Sequence, residues 1–308
     1  MSDDMRAQSG LMEPTFCLVC GGDLRLAYIA RDFNRHISQD RFHYLRCAVC
    51  DLLFLSDVPS DLSPYYPDSY YPVHATADDL RAASRFEQYK LDFVRRTHAS
   101  GRLLEIGPGA GGFALLAGEA GFAVDVLEMP GPSASWIGEH LDVSVHLAED
   151  PLSVLPSLGH FDVITLWHSW EHLRDPWGVL DCCAAALSED GILVIASPNP
   201  SSLQIRLLGA RWTHLDAPRH LVLSPPDVLV LAALQRGLRL EHLEMADRSA
   251  RGWNRFGWEQ SLGNLSGSPT LSLWLRRTGT VIARLLRNVE IRSKRASTYT
   301  LILRREAQ

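Results

Sequence analysis

The 308-residue sequence lacks three features that would place it in a special class of protein. It has no run of about 20 apolar residues that could span a bilayer, and residues 1–6 are polar and acidic, unlike an export signal. It has no excess of positive charge, with a formal net charge of −6, so nucleic acid is not an expected partner. It has no internal repeat. Because 46% of its residues are hydrophobic, the sequence predicts a globular cytoplasmic protein with a full core.

Cysteine is scarce but clustered. Four of the six cysteines form two Cys-x-x-Cys pairs. In a sequence without an export signal, two such pairs predict four thiolates around one structural zinc ion, Zn²⁺. The predicted ligands are Cys17, Cys20, Cys47 and Cys50. A redox dithiol and four unrelated thiols are the alternatives, but a thioredoxin-type pair would not recur at this spacing. Cys182 and Cys183 fall in a predicted helix and are interpreted as packing residues.

Composition divides the chain into parts. Residues 1–14 are predicted to be disordered, and residues 15–55 are predicted to form a small zinc ribbon with a short hairpin between the cysteine pairs. Residues 56–77 are rich in proline, tyrosine and acidic residues, which predicts an extended connector lying over the rest of the protein. Residues 78–308 form the main domain. It carries a basic helical insertion at about residues 251–295.

Strand and helix patterns alternate through the main domain, after a helical pattern over residues 78–98. The predicted strands cover residues 103–106, 122–128, 143–147, 161–167, 192–196, 238–245 and 299–303. The predicted helices between them cover residues 133–140, 177–187 and 225–237. This alternation predicts an α/β fold in which helices cover both faces of a mostly parallel sheet.

The run LLEIGPGAGGF, residues 103–113, ends an apolar strand in an acid and opens into a glycine loop. Glycines allow a tight turn, close approach of the backbone to a ligand, and a helix start whose free N–H groups face that ligand. Gly107, Gly109 and Gly112 also satisfy the dinucleotide pattern G-x-G-x-x-G. Glu105 argues against a dinucleotide, because a carboxylate there would repel a pyrophosphate and would suit a cationic ligand.

The full run resembles the first motif of the class I S-adenosylmethionine-dependent methyltransferases, acid-x-Gly-x-Gly-x-Gly. The matching residues are Glu105, Gly107, Gly109 and Gly111. The resemblance implies S-adenosyl-L-methionine as the cofactor and a Rossmann-like seven-stranded sheet whose last strand is antiparallel. It also implies further cofactor contacts. These are Glu128, whose carboxylate can accept both ribose hydroxyls, Asp150 near the adenine, and Trp167 in the lining of the pocket.

The segment after the fourth strand of this domain resembles the corresponding family segment, an apolar strand followed by Glu-His and then Asp-Pro. A histidine titrates near neutrality and a neighbouring carboxylate can raise its pKa, so Glu171 and His172 are a candidate acid–base pair. A hydrogen-bonded turn ahead of the helix that begins at Pro176 is the structural alternative. His168 is predicted to line the same pocket.

Residues 211–220 resemble a Trp-x-x-x-Asp-x-Pro-x-His loop of related methyltransferases. Such a concentration of polar side chains on one loop is typical of function. The loop is predicted to cover the acceptor site, with Asp216 and His220 facing the substrate, and a salt-bridged surface loop is the alternative. The candidate catalytic residues are therefore His168, Glu171, His172 and His220.

The insertion is strongly basic, with seven Lys or Arg residues between positions 276 and 295 and the single acid Glu290. This pattern predicts a basic amphipathic helix. Residues 270–295 would either rest on an anionic membrane, at its inner face, and give access to a lipid-linked acceptor, or form a lid or a dimer surface.

Together these observations predict a methyltransferase that moves a methyl group in line to a small-molecule or carrier-linked acceptor, such as a sugar, a glycan or another natural-product intermediate. The order of ribbon and methyltransferase domain resembles bacterial deoxysugar C-methyltransferases, which implies a base beside the cofactor. O-methylation of a glycan, quinone or polyketide-like acceptor is the alternative. A non-catalytic cofactor-binding scaffold and an NAD-dependent oxidoreductase are the rival classes. The oxidoreductase is disfavoured by Glu105 and by the lack of a Tyr-x-x-x-Lys pair.

Overall fold

The structure is a computed structural model that describes residues 16–67, 70–246 and 248–306. The predicted disordered segment, residues 1–14, lies outside these residues. The strands are β1 Leu24–Ala30, β2 Phe42–Cys47, β3 Leu53–Leu55, β4 Gly101–Ile106, β5 Phe122–Glu128, β6 Ser144–Leu147, β7 Phe161–Trp167, β8 Leu187–Pro198, β9 Val222–Leu223, β10 Leu238–Glu244 and β11 Thr298–Arg305. The helices are α1 Ala77–Ala83, α2 Gln88–Arg95, α3 Gly112–Glu119, α4 Pro132–His140, α5 Pro176–Ala186, α6 Leu203–Leu208, α7 Pro226–Leu234, α8 Arg248–Gly263 and α9 Pro269–Arg292.

Seven strands form one sheet in the order β10-β11-β8-β7-β4-β5-β6. The neighbours among β4 to β8 pair in parallel, and β11 runs antiparallel to both β8 and β10. Strand β7 and residues 192–196 of β8 are almost continuously apolar, as expected for strands whose two faces are covered by helices. The predicted Rossmann-like sheet with an antiparallel last strand is confirmed. Strand β8 begins at Leu187, earlier than the predicted start at residue 192.

The sheet separates two hydrophobic cores because successive strand residues point to opposite faces. On one face Leu104 packs with Leu180 of α5, and Cys183 of the same helix is buried there too, in agreement with its interpretation as a packing residue. On the other face Leu103 packs with Phe113 of α3. The two cores hold the carboxyl ends of the strands in place.

A second, four-stranded sheet has the order β1-β2-β3-β9. Its first three strands belong to the cysteine-bearing segment, and its fourth comes from the chain that follows the predicted acceptor loop. Leu53 of β3 pairs with Leu223 of β9. The fully buried Tyr44 of β2 donates hydrogen bonds to the carbonyl oxygens of Leu215 (3.2 Å) and His220 (2.8 Å). The cysteine-bearing segment therefore braces the loop that carries His220, which the sequence did not predict.

The basic insertion is a hairpin of two helices, α8 and α9, where the sequence predicted one amphipathic helix. The backbones approach closely at Gly279, where an added Cβ would lie 2.7–2.8 Å from backbone atoms of Trp258 and Glu259. Further along, the fully buried Glu290 accepts a hydrogen bond from Trp258 Nε1 at 3.0 Å. In the part of the chain that is described, no helix is long and apolar enough to cross a bilayer.

Replacing Gly279 with alanine is expected to lower the free energy of unfolding by about 1–3 kcal/mol, because the new methyl group meets the α8 backbone and neither helix can give way cheaply. Helix propensity alone predicts the opposite change in the free energy of unfolding, because it favours alanine over glycine by about 1 kcal/mol. Urea denaturation measures the effect. Gly252 of α8 has nothing within 4 Å of its would-be Cβ, so Gly252→Ala is the matched control. Equal stabilisation by both substitutions would contradict the close packing.

Candidate functional site

The carboxyl ends of β4, β5, β6 and β7 meet at one edge of the large sheet, where ligands bind in open α/β folds. Glu105 lies near the end of β4 and Glu128 ends β5. Asp150 caps a short 3-10 turn after β6, where its Oδ1 accepts a hydrogen bond from Leu152 N. His168 follows β7. The fold thus brings the predicted cofactor and catalytic residues to the same edge.

The glycine loop makes its turn with left-handed backbone angles. Gly107, Gly109 and Gly111 have φ of +74°, +58° and +83°, a region that strains any residue with a Cβ. An added Cβ on Gly107 would also lie 2.6 Å from Ser169 Cβ, and one on Gly109 would lie 3.1 Å from the Tyr71 ring. Gly111 is the N-cap of α3. The glycines are therefore required for a tight turn that opens a helix.

Glu105 is a buried carboxylate that the fold leaves incompletely paired. Its side chain is 1% exposed, and Oε2 has no hydrogen-bond partner among the described residues. Burial raises the pKa of Glu105 to about 8, although the nearby Lys90 ammonium works against the shift. Lys90 itself is paired with Glu87 at 2.7 Å. A cationic ligand group beside Glu105 would supply the missing charge.

Glu128 is held against the glycine loop. Its Oε1 accepts a hydrogen bond from Met129 N at 2.9 Å, and its Oε2 accepts one from Gly109 N at 3.4 Å. Burial raises the pKa of the Glu128 carboxyl. The carboxylate that the resemblance assigns to the ribose therefore lies next to the loop, as that assignment requires.

Trp167 does not lie among these polar groups. Its side chain is 5% exposed, and its ring packs edge-on against Phe113 with centroids 5.6 Å apart and against Tyr89 at 6.0 Å. The side chain of this strand residue points to the helix-covered face of the sheet. The ring is thus packed in the core beside Phe113 of α3, and a contact of Trp167 with the cofactor stays a prediction.

The four candidate catalytic residues lie together. Glu171 is 1% exposed in a 3-10 turn, and its Oε1 is 3.6 Å from His168 Nδ1 and 4.0 Å from His220 Nε2. The imidazoles of His172 and His220 pack edge-on with centroids 4.7 Å apart. The histidine cluster, defined as His168, Glu171, His172 and His220, joins two segments that the sequence had singled out separately.

Backbone carbonyl groups orient two of these imidazoles. His172 Nδ1 is 2.9 Å from the Arg219 carbonyl oxygen, and His220 Nδ1 is 2.8 Å from the His214 carbonyl oxygen. A carbonyl oxygen only accepts, so these partners place a proton on Nδ1 of both rings. The neutral form of either ring then carries its accepting lone pair on Nε2.

The protonation states suit a proton acceptor at neutral pH. Burial by itself raises the pKa of Glu171, but the hydrogen bond from His168 and the fields of the surrounding imidazoles outweigh it and lower this pKa to about 2. Burial and the neighbouring His220 lower the pKa of His172 to about 4. An ionised carboxylate therefore lies beside a neutral imidazole that it can stabilise once protonated.

Tyrosines of the connector lie over the site, and the sequence did not single them out. Tyr66 Oη is 2.9 Å from His172 Nδ1, and the rings of Tyr66, Tyr70 and Tyr71 follow one another at 4.9 Å centroid separations. Tyr71 reaches Gly109 of the glycine loop. Burial raises the pKa of Tyr70 to about 12, so its hydroxyl stays protonated. The density of tyrosine in residues 56–77 was the available signal.

Helix α8 supplies another wall. The Trp253 ring lies 4.7 Å from the His168 ring, and the Trp253 carbonyl oxygen is 3.2 Å from His214 Nε2. Burial lowers the pKa of His214 to about 3, so this ring is neutral. Trp253 lies in the insertion, far along the chain from the motifs, and no local pattern pointed to it.

Asp216 takes part in a buried network of ion pairs and hydrogen bonds. Arg219 is fully buried, and its guanidinium donates to Asp216 through Nε (2.9 Å) and a terminal nitrogen (2.8 Å) and to Asp32 at 2.6 Å. Asn34 also donates to Asp216. Both Asp216 oxygens are thus used within the fold, so we interpret this residue as structural and not as one that faces a substrate.

The four N-terminal cysteines converge on one point, with all four sulfur atoms within 4.8 Å of one another. Cys17 Sγ lies 3.7 Å from Cys50 Sγ, and Cys20 Sγ lies 3.4 Å from Cys47 Sγ. Tetrahedral zinc with Zn–S bonds of about 2.3 Å places its sulfurs about 3.8 Å apart. Backbone N–H groups of Val49 and Cys50 donate to Cys47 Sγ, both at 3.4 Å. These residues fit a tetrahedral metal ion.

A family model described as a methyltransferase domain matches residues 79–243, more than half of the chain. Among solved structures, a SAM-dependent methyltransferase from Archaeoglobus fulgidus is 20% identical, with 72% of this chain and 94% of that one covered and a TM-score of 0.50. A cyclopropane synthase from Mycobacterium tuberculosis is 13% identical, with coverages of 71% and 84% and a TM-score of 0.50. These identities show a shared fold. No curated protein matches the chain.

Proposed function

This chain belongs to the S-adenosylmethionine-dependent methyltransferases, and we propose that it methylates a small-molecule or carrier-linked acceptor after a histidine of the cluster removes a proton from it. The observation that carries the proposal is the position of the His172 and His220 rings, each with Nδ1 at a backbone carbonyl oxygen, beside the buried Glu171 carboxylate. Family membership argues against the oxidoreductase alternative and favours an enzyme over a scaffold.

The residues at the sheet edge fit the cofactor. Glu105 offers an unpaired buried carboxylate to its cationic end, Glu128 offers oxygens to ribose hydroxyls beside Gly109, and Asp150 lies where the adenine is expected. When bound, S-adenosylmethionine supplies an electrophilic methyl group on a sulfonium. Tyr71 covers the loop, which supports exclusion of water from the site.

The cluster would act on the acceptor rather than on the cofactor. His172 or His220 accepts the proton at Nε2, and Glu171 stabilises the resulting imidazolium. Tyr66, with its hydroxyl at the other nitrogen of His172, holds that ring in place. This arrangement suits an acceptor carbon or hydroxyl that is a weak acid, such as a sugar, a glycan or another natural-product intermediate.

A label-transfer assay tests the proposal. The enzyme is incubated with methyl-labelled S-adenosylmethionine and defined sugar, quinone and polyketide-like acceptors, and label is expected in a small-molecule product. His172→Asn and His220→Asn are each expected to lower kcat by about 100-fold or more without changing affinity for S-adenosylhomocysteine. His36→Asn, outside the cluster, is the control. Label found only in protein, or normal turnover in both cluster variants, would contradict the proposal.

Affinity for S-adenosylhomocysteine is expected to rise with pH from 6 to 8. The pKa of Glu105 is about 8 in the free protein, so binding the cationic end of the ligand below that pH requires loss of a proton. Calorimetry in buffers of different ionisation enthalpy measures the proton released, close to one below pH 8. Glu105→Gln should bind more weakly and lose the pH dependence. Unchanged pH dependence in that variant would assign the proton to another group.

We also propose that Zn²⁺ is held by Cys17, Cys20, Cys47 and Cys50. The near-tetrahedral sulfur spacing and the backbone N–H groups on Cys47 support this assignment. The ion would be structural, because four thiolates leave no open coordination position.

A further inference from the structure

The outward face of α9 carries a stripe of exposed apolar side chains. Its members, each at least 52% exposed, are Leu271, Trp274, Val281, Leu285 and Val289. Steps of three, four and seven residues place them along one side of the helix. Single exposed apolar residues are ordinary on protein surfaces, whereas a continuous stripe marks an interaction surface.

The opposite face of α9 is fixed, so the stripe cannot turn inward. Gly279, Ala283 and Glu290 are the buried residues of this helix. Gly279 lies against the α8 backbone, and Glu290 accepts a hydrogen bond from Trp258. The stripe lies on the side away from these contacts.

The charge around the stripe has one sign. Arg277, Arg284 and Arg292 are exposed on α9 within or beside the stripe, whereas the exposed Arg287 lies on the other side of the helix. The only acid of the helix, Glu290, is fully buried on the inner face and leaves the surface positive. The Arg277 guanidinium lies 5.5 Å from the centre of the Trp274 ring, a pairing of cation and aromatic at the edge of the stripe.

We infer that the outward face of α9 binds the surface of an anionic lipid bilayer. A bilayer interface offers an apolar layer to the stripe and phosphate charges to the arginines that flank it. A second copy of the chain fits less well, because a two-fold contact through this face would bring arginines against arginines.

The docking surface is one helix away from the candidate active site. Helix α8 packs on α9 through Trp258 and Glu259 and on the site through Trp253, whose ring lies 4.7 Å from the His168 ring. A docked enzyme would hold its histidine cluster near the bilayer, which suits an acceptor carried on a lipid. This last consequence depends on the proposed function, whereas the docking does not.

Vesicle flotation of the full chain tests the docking. Binding is expected to vesicles that contain phosphatidylglycerol, not to pure phosphatidylcholine, and is expected to weaken as ionic strength rises. Trp274→Asp and Leu285→Asp are each expected to reduce the bound fraction about tenfold, because each removes apolar contact and adds a like charge to the lipid. Phe86→Asp makes the same change at an 82% exposed position on the turn Ser84–Glu87 and should bind normally.

Charge-reversal variants in the same flotation assay test the contribution of the arginines. The double variant Arg277→Glu with Arg284→Glu should lose binding to anionic vesicles, whereas Arg85→Glu, an exposed arginine on the turn Ser84–Glu87, should retain it. All variants must keep the wild-type melting temperature and affinity for S-adenosylhomocysteine, which separates lost docking from lost folding.

Absence of vesicle binding by the wild-type chain would overturn the inference. The inference would also be overturned, in favour of a second copy of the chain, if light scattering showed a dimer and no flotation occurred. In that case Leu285→Asp should convert the dimer to a monomer. Flotation without label transfer to any acceptor would sustain the docking and contradict only the proposed function.

Discussion

Replacing Arg219 with methionine is expected to lower the free energy of unfolding by about 3–5 kcal/mol, because it leaves two carboxylates without their buried counter-charge. The guanidinium is fully buried and contacts Asp32 at 2.6 Å and Asp216 at 2.8 Å. Urea denaturation followed by circular dichroism measures the loss. Turnover should fall as well, since the Arg219 carbonyl oxygen orients the His172 ring.

Two controls make this result specific. Arg174 is exposed and donates to the carbonyl oxygens of Pro59 (2.9 Å) and Ser60 (3.0 Å), so Arg174→Met should change stability by less than about 0.5 kcal/mol. Adding Asp32→Asn and Asp216→Asn to the Arg219→Met chain removes the unpaired charges and should recover part of the loss. Similar values for the Arg219 and Arg174 variants would refute the importance of the buried network.

Removing the proposed zinc ion from the cysteine cluster is expected to lower methyl transfer by about 100-fold while leaving cofactor binding nearly intact. Cys47→Ser should lose the zinc and loosen β1 to β3. The effect passes to the acceptor loop, because Leu53 of β3 pairs with Leu223 and Tyr44 donates to the His220 carbonyl oxygen. A displacement of about 1 Å at His220 would cost about 100-fold in kcat. Elemental analysis, calorimetry with S-adenosylhomocysteine and label transfer measure the three quantities.

The matched control is Cys182→Ser, which changes a half-buried thiol outside the metal cluster. It should retain one equivalent of zinc and normal turnover. Loss of cofactor affinity in the Cys47 variant, to the same degree as loss of turnover, would instead indicate general unfolding. Full turnover without metal would contradict a bracing role for the cysteine-bearing segment.

Features encoded by short segments were predictable from the sequence. The acid and glycines of residues 105–111 determine their own backbone turn, and alternation of apolar strands with helices determined the parallel sheet. The Cys-x-x-Cys spacing predicted a four-sulfur cluster for the same reason. Trp167 ends strand β7, and its ring packs on the α3 side of the sheet. Its strand position alone does not show which face of the sheet its ring occupies.

Contacts between distant segments were not predictable. Nothing local links Asp32 to Arg219 or Tyr66 to His172. Strand β9, Val222–Leu223, is too short to show a recognisable strand pattern in the sequence. It is a strand because it pairs with β3.

The sequence by itself determined the class of sheet, the glycine loop and the cysteine set, because each depends on residue type and spacing within one segment. The tertiary structure alone decided that the cysteine-bearing segment braces the loop of His220, that Tyr71 lies over Gly109, and that α9 presents its apolar stripe outward. These outcomes depend on packing between segments far apart in the chain. Such contacts are determined by burial and close approach, and no local sequence pattern predicts them.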